Sequence, residues 1–504
     1  MRLALDDLID RQPPDAVAFV DRGRPVTHAD FGRMAARAAG WLAGQGVGRG
    51  DNVAVWLVNR IEWLALLFGA ARIGATLVAV NTRYRAAEVD HILRRSGAKL
   101  LVLQLDFRGI DFPAILADVG TDLSALERIA VVGQANALPT ALLGRPVVAF
   151  DPDQAEALPD RGDADLPAVL FTTSGTTRGP KLVVHPQRTL ALHARRCAQA
   201  HGLDAPGAAL FAAMPFCGVF GLAAVLAALA GGAPVHVMET FEPVAAAGLM
   251  RCEAITHVYA SDEVYRRLMD VDGAAFPAAR VLGFAAFAPG AADLARAAWA
   301  RGLPLVGLYG SSEVLALFAT QSRDLDLEQR IEAGGTPASP DAEVRITGGE
   351  IEIRSPTNFI GYLNDPEATA EAITPDGFFR TGDAGHLRPD GSLVFAARKG
   401  DTIRLGGFLV SPVEIEDVLK TIDGVADAQV VAVETGGQRR CAAFVIGTAT
   451  EDAVIAGARR MLAPFKVPAR VWQVDDFPRT QSANGTKIQR ARLREMAEAL
   501  MVGR

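Results

Sequence analysis

Short apolar runs alternate with longer stretches in which alanine, leucine and charged residues recur at helical spacing through most of this chain. Residues 53–58 (VAVWLV) read as a strand, 62–74 as a helix and 76–80 as a second strand, and this alternation predicts layered α/β architecture. The apolar runs 168–171 and 303–308 predict further buried strands, and residues 183–197 can enter a helix. Beyond Gly400 the pattern changes. Strands at 428–433 and 441–446 accompany helices at 413–422 and 451–462, as in a compact α+β unit of roughly a hundred residues. The expected parts are therefore 1–399 and 400–504. Residues 219–230 form the most membrane-like stretch, but they are too few to span a bilayer and Gly231-Gly232-Ala233-Pro234 ends them, so a buried helix is expected. No internal repeat is present.

Composition narrows the picture. A chain of 504 residues exceeds what one core usually supports, so two or more domains are expected. Half of its residues are hydrophobic and 22% are charged, as in a soluble globular enzyme. A net charge of −7, without a basic tail, argues against general nucleic-acid binding. Cys197, Cys217, Cys252 and Cys441 show no paired spacing, and residues 1–14 lack the basic start and apolar core of a signal peptide. Reduced thiols, a cytoplasmic location and no integral membrane segment are the expectations.

The chemistry is most legible at residues 171–181, FTTSGTTRGPK. Glycines let backbone N–H groups approach an anion, the hydroxyls of Thr172, Thr173, Ser174, Thr176 and Thr177 add donors, and Lys181 adds a charge. Pro180 precedes that lysine and no hydroxyl follows it, so the spacing is not that of a P-loop NTPase. On its own the segment reads better as a flexible, polar Ser/Thr/Gly turn, and the phosphate reading needs support from other segments. Tyr309-Gly310-Ser311-Ser312-Glu313 follows the apolar run 303–308 and sets an aromatic ring, two hydroxyls and a carboxylate at a strand end. Arg380-Thr381-Gly382-Asp383 and Ala397-Arg398-Lys399-Gly400-Asp401 bracket a hairpin whose turn is Pro389-Asp390-Gly391. Residues 478–490 read PRTQSANGTKIQR.

With these segments in this order, the chain resembles the adenylate-forming superfamily of acyl-CoA synthetases, aryl-CoA ligases, luciferases and peptide-synthetase adenylation domains. GGTPASPDAEVRI, GEIEIRSPTNFIGYLNDPEAT, GFLVSPVEIEDVL and APFKVP extend the resemblance over nearly the whole chain. It implies an α/β fold: a large N-terminal body of several subdomains with a β-barrel-like part, and a small mobile α+β C-terminal domain. It also implies ATP and coenzyme A as cosubstrates, Mg²⁺, and an acyl-adenylate intermediate.

By the same resemblance Thr172, Thr173, Ser174, Gly175, Thr176, Thr177 and Lys181 handle the β- and γ-phosphates of ATP. Ser312 faces the α-phosphate and Glu313 helps hold Mg²⁺. Tyr309 lies beside adenine, Asp383 binds the ribose hydroxyls and Arg398 contacts the nucleotide. Lys487 reaches the reacting carboxylate, Gly400 is the interdomain hinge, and Gly406 and Gly407 border the coenzyme A path. Arg404 reads as a charge on that path or, equally, as an exposed strand arginine. Two departures from the family pattern are Arg178, where glycine is usual, and Thr486 before Lys487.

Phe216, Cys217, Phe220, Phe284 and Phe287 are candidates for the acyl pocket, with core packing as the alternative for each phenylalanine. Cys217 occupies the position where amino-acid-activating relatives carry aspartate, which disfavours an α-amino acid substrate. Asp262 and Glu263 read as a helix start after Ser261. The expected function is an ATP-dependent acid–CoA ligase for an apolar aliphatic, alicyclic or aromatic carboxylic acid. The alternatives are a ligase that loads a carrier protein and a catalytically silent nucleotide-binding regulatory protein.

Overall fold

The structure is a computed structural model that describes residues 3–107, 109–133, 138–160, 162–173, 180–271, 275–285, 291–398, 403–405, 408–410, 412–435, 438–482, 485–488 and 490–502. Two large sheets and the helices between them form the N-terminal body. In the nine-stranded sheet, Asn52–Trp56 pairs in parallel with Thr76–Ala79 and with Leu100–Gln104. Helices such as Ile61–Arg72 and Ala86–Ser96 make the crossovers. Every residue of Leu100–Gln104 is buried, the pattern of a parallel strand covered on both faces.

The strand Pro167–Thr173 joins that sheet in parallel, then pairs antiparallel with Lys181–Pro186, which in turn pairs with Gly361–Tyr362. The hydroxyl-rich segment thus joins two strands of a hairpin. Sequence periodicity shows only a helix following it. The β-branched Val183 and Val184 extend the sheet first, and the helix Gln187–His201 begins directly after Pro186.

The second sheet has thirteen strands. One part is parallel and contains His257–Ser261, Val281–Ala285 and Leu305–Ser311. The other is an antiparallel run that includes Leu315–Thr320, Phe379–Leu387 and Leu393–Arg398. The largest core cluster fills the space between the sheets, where Phe68, Phe171 and Val183 meet Leu190, Leu222 and Leu226. The helix Val219–Gly231 is apolar on all sides and lies in this layer, which accounts for its membrane-like composition. Among the described residues no helix is long and apolar enough to cross a membrane.

Residues 403–502 build a separate core. Val425–Thr435 and Gln438–Gly447 form a long hairpin, extended in parallel by Val471–Gln473. Alternate residues of the hairpin face opposite ways. Val430, Ala432, Cys441 and Ala443 pack with Ile415, Leu419 and Val454, whereas Val431, Val433, Ala442 and Phe444 pack with Phe477, Leu493 and Ala497. The helices Pro412–Leu419 and Glu451–Met461 therefore cover one face, and the helix Arg490–Val502 covers the other.

Candidate active site

Glu313 lies at the end of the strand Leu305–Ser311, in a turn fixed from several sides. Its backbone N–H donates to Ser311 Oγ at 3.2 Å, and its carbonyl accepts from the Phe359 N–H at 2.7 Å. The next strand opens with Leu315 at φ +64°, and Leu317 has φ +65°. Left-handed backbone at branched residues costs of order 1–3 kcal/mol each and is held only where the surroundings enforce it. Gly310 is required here, because a Cβ would stand 2.8 Å from the Leu315 carbonyl oxygen. The turn thereby buries the Glu313 side chain, which is 8% exposed, and the Tyr362 hydroxyl donates to its Oε1 at 3.0 Å.

Tyr362 connects this carboxylate to the hairpin. Its strand pairs Tyr362 with Val183, and its ring lies beneath the Lys181 ammonium at 4.5 Å. Lys181 stands opposite Thr173 in the register, and Thr172 Oγ1 is 2.8 Å from the Tyr84 hydroxyl. Lys181, Tyr362 and Glu313 thus form a continuous cation–ring–carboxylate array. His185, from the same strand as Lys181, donates through Nε2 to the Ser312 carbonyl at 2.7 Å. Burial lowers its pKa to about 4, so the imidazole is neutral and fixes the Ser312 backbone without adding charge.

Toward the other side, the Tyr309 hydroxyl donates to Asp383 Oδ2 at 2.7 Å, and the Asp383 N–H donates to Thr381 Oγ1 at 3.0 Å. Both Tyr309 and Asp383 are buried. The Tyr309 ring is bracketed by Phe395 at 5.9 Å and Phe318 at 6.4 Å. Strand register sets Arg398 opposite Asp383, with only the backbone of Arg398 described. The expected hairpin is present, and its turn residue Gly391 has φ +84°.

The structure thus brings together Thr172, Thr173, Lys181, Tyr309, Ser312, Glu313 and Asp383. Ser174, Gly175, Thr176, Thr177, Phe287, Gly400, Gly406 and Gly407 lie outside the described residues. The backbone of Lys487 belongs to the strand Gly485–Ile488. Its neighbour Ile488 packs on the sheet face covered by Arg490–Val502. Arg404 lies on the short strand Ile403–Leu405 and is half-buried.

Among the pocket candidates, Phe216 and Cys217 are buried in the inter-sheet cluster, with Phe220 partly buried against it. Phe284 belongs to a different cluster, with Tyr265 and Phe211. Burial pushes the Cys217 thiol up to about 11, so it is not a thiolate at neutral pH. Ser261 caps the helix Asp262–Met269, its Oγ accepting from the Val264 N–H, as the sequence predicts. Tyr362, His185 and Tyr84 have no sequence-derived role. Tyr362 lies inside a recognised segment, but its position beneath Lys181 depends on strand pairing.

A family model described as AMP-binding enzyme matches residues 6–363, and one described as AMP-binding enzyme C-terminal domain matches residues 414–484. The chain is 33% identical over 98% of its length, and 98% of the relative's, to 3-[(3aS,4S,7aS)-7a-methyl-1,5-dioxo-octahydro-1H-inden-4-yl]propanoyl:CoA ligase of Mycobacterium tuberculosis (strain ATCC 25618 / H37Rv). It is 30% identical to 3-hydroxybenzoate–CoA ligase of Aromatoleum sp. (strain CIB), covering 96% of this chain and 94% of that one. Among solved structures it is similar to a double mutant of o-succinylbenzoate CoA synthetase from Bacillus subtilis bound with a product analogue, OSB-NCoA. That match has TM-score 0.83 and 23% identity, and covers 98% of both chains. The same synthetase in complex with AMP matches with TM-score 0.68 and 23% identity, covering 97% of this chain and 98% of that one.

Proposed function

Because the chain belongs to the AMP-binding enzyme family, we propose that it is an ATP- and magnesium-dependent acid–CoA ligase acting on an apolar alicyclic or aromatic carboxylic acid. The observation that carries this reading is the array in which Tyr362 joins the Lys181 ammonium to the buried Glu313 carboxylate, just beyond the end of the strand that carries Tyr309, the partner of Asp383. A carboxylate that attacks the α-phosphate of ATP brings two anions together, and negative charge grows on the phosphoryl oxygens and the departing pyrophosphate. Lys181 supplies a fixed positive charge at the phosphate end. Two unit charges about 4 Å apart interact by about 4 kcal/mol at an effective dielectric near 20. Asp383 and Tyr309 supply an acceptor and a ring for the nucleoside.

The donor set fits magnesium. Glu313 presents a hard oxygen ligand whose orientation is fixed by Tyr362, and magnesium commonly takes one or two carboxylates together with phosphate oxygens. When bound, the ion would neutralise charge on the phosphates. The carboxyl group of the acid becomes a mixed anhydride with AMP. The coenzyme A thiol then attacks the acyl carbon, AMP departs with the bridging oxygen, and a thioester remains. A neutral Cys217 takes no covalent part and fits an apolar wall beside Phe216 and Phe220. We read residues 1–399 as the part that binds ATP and the acid and residues 400–504 as the part that changes position between the two steps.

A panel of alicyclic, aromatic and aliphatic acids, scored separately for pyrophosphate release and for thioester formation with coenzyme A or a carrier protein, tests this reading. Acid-dependent pyrophosphate release with thioester on free coenzyme A is expected. Transfer to the carrier alone would assign the carrier-loading alternative. Absence of pyrophosphate release with every acid would assign the silent one.

A further inference from the structure

The two parts of the chain meet at a buried cluster to which the reading above gives no role. Lys466, from the segment APFKVP, is 4% exposed, and its Nζ lies 2.8 Å from Glu88 Oε1 and 2.5 Å from Glu414 Oε1. Glu88 belongs to the large body and Glu414 to the small one. The Ala463 N–H also donates to Glu88 Oε1 at 3.4 Å, while Glu88 Oε2 accepts from the Arg85 N–H at 2.7 Å and so closes the first turn of the helix Ala86–Ser96. Burial pulls the Lys466 pKa down, but the two carboxylates outweigh it and keep the ammonium charged. Phe408 extends the contact. It stacks on Phe465 at 4.6 Å and carries the Arg83 guanidinium over its ring at 5.1 Å.

The helix that receives Lys466 also holds both flanks of the hydroxyl-rich segment. Just before it, the Tyr84 hydroxyl meets Thr172 Oγ1 at 2.8 Å. Within it, His91 Nε2 donates to the Pro180 carbonyl at 2.9 Å. Tyr84 in turn lies 5.4 Å below the Lys466 ammonium, and burial pushes its phenol up to about 12, so it remains a neutral hydroxyl. A run of thirteen residues, 84–96, therefore touches the small part at Glu88 and the phosphate-handling hairpin at Thr172 and Pro180.

This seating uses one particular face of the small sheet. The residues next to the contact, Phe408, Phe465 and Val467, pack in the cluster on the face covered by Pro412–Leu419 and Glu451–Met461. Ile488, beside Lys487, packs on the opposite face. The docked face is thus not the one that carries the strand of Lys487.

We propose that Lys466 is a positioning residue for thioester formation. It locks the small part onto Glu88 in the seating that leaves the strand Gly485–Ile488 on the far face, and through Tyr84 it holds Thr172 in register with that seating. The proposal rests on the two-step ligase reading. It assigns the lock to the second step because Phe408, which meets Arg83 of the large body, packs on the docked face, whereas the strand of Lys487 lies on the opposite one.

Two measurements test it. In the full chain, Lys466→Met leaves two buried carboxylates without their cation, so a triple variant, Lys466→Met with Glu88→Gln and Glu414→Gln, removes the charges together and guards against misfolding. For either variant, conversion of supplied acyl-adenylate and coenzyme A to thioester should fall by about tenfold or more, while acid-dependent pyrophosphate exchange changes less than about threefold. If the two half-reactions fall equally in a folded variant, Lys466 is a structural residue only and the proposal is overturned. Adding Tyr84→Phe to Lys466→Met should cost thioester formation no more than Lys466→Met alone, because both act through one chain of contacts. Independent, multiplying losses would overturn the link to Thr172.

The second measurement needs no turnover. Small-angle scattering of the ligand-free parent should match the docked arrangement, and Lys466→Met should broaden the distance distribution. Superposable curves would overturn the lock even if no acid substrate is found, whereas absence of pyrophosphate exchange in the parent would count only against the ligase reading.

Discussion

Glu313 and Cys217 show what single residues contribute. Glu313 is a buried carboxylate held by one phenolic hydroxyl, so Glu313→Gln keeps the shape and removes the charge. Acid-dependent pyrophosphate exchange should fall about 10²–10³-fold, the usual loss when one charge-stabilising group leaves an active site. A variant within about threefold of the parent at saturating magnesium would exclude Glu313 from metal binding. Cys217 makes the opposite prediction. Its thiol is neutral and packed among apolar residues, so Cys217→Ser should retain adenylation. Cys217→Phe should discriminate against wide acids by about 1–3 kcal/mol in kcat/KM, because overpacking a close-fitted site costs that much. An unchanged acid profile in Cys217→Phe would remove it from the pocket.

At the scale of elements, the helix Gln187–His201 is the clearest case. It carries His193 and His201 into the inter-sheet layer, near His185 and His257, and burial lowers the pKa of His185, His193 and His257 to about 4 and of His201 to about 3. Each is neutral when folded but takes up a proton below about pH 6.5 when unfolded. The unfolded state therefore binds more protons between about pH 4 and 6.5, and stability is full above that window and falls as pH is lowered through it. The decline approaches about 1.4 kcal/mol per pH unit for each histidine. Thermal unfolding followed from pH 7.5 to 4.5 should show this decline, with a shallower slope in His193→Gln. A flat profile would mean that these rings are not buried as neutral groups.

The same helix shows how far elements were legible. That residues 183–197 can enter a helix was legible in the sequence, as were the strands around 53–58 and 303–308 and the turn at Gly391. The strand Lys181–Pro186 was not, since three apolar residues, Leu182 to Val184, ahead of His185 and a proline carry no period that separates a strand from a helix start. Its identity came from pairing with Pro167–Thr173 and Gly361–Tyr362.

For the whole molecule, the sequence motifs named the residues around Glu313 and Asp383, and the fold brought them together. Contacts between distant segments had no local signal. Lys466 lies in a recognised segment, but its partner Glu88 is 378 residues away, and nothing in either segment announces the other. Tyr362 reaches Glu313 across 49 residues in the same way. If the two steps use two seatings of the small part, Lys487→Ala should lose acyl-adenylate formation severely while converting supplied adenylate and coenzyme A to thioester at near the parent rate. Equal loss in both steps by a folded variant would remove Lys487 from the adenylating seating.

The most direct test of the ligase account follows one oxygen. With an accepted acid labelled with ¹⁸O in its carboxyl group, ATP and coenzyme A, an acyl-adenylate intermediate leaves one labelled oxygen on the phosphate of AMP when the thiol displaces it. Labelled AMP, formed in equal amount to the thioester, is the result expected. Unlabelled AMP, or label in inorganic phosphate with ADP as the nucleotide product, would contradict it.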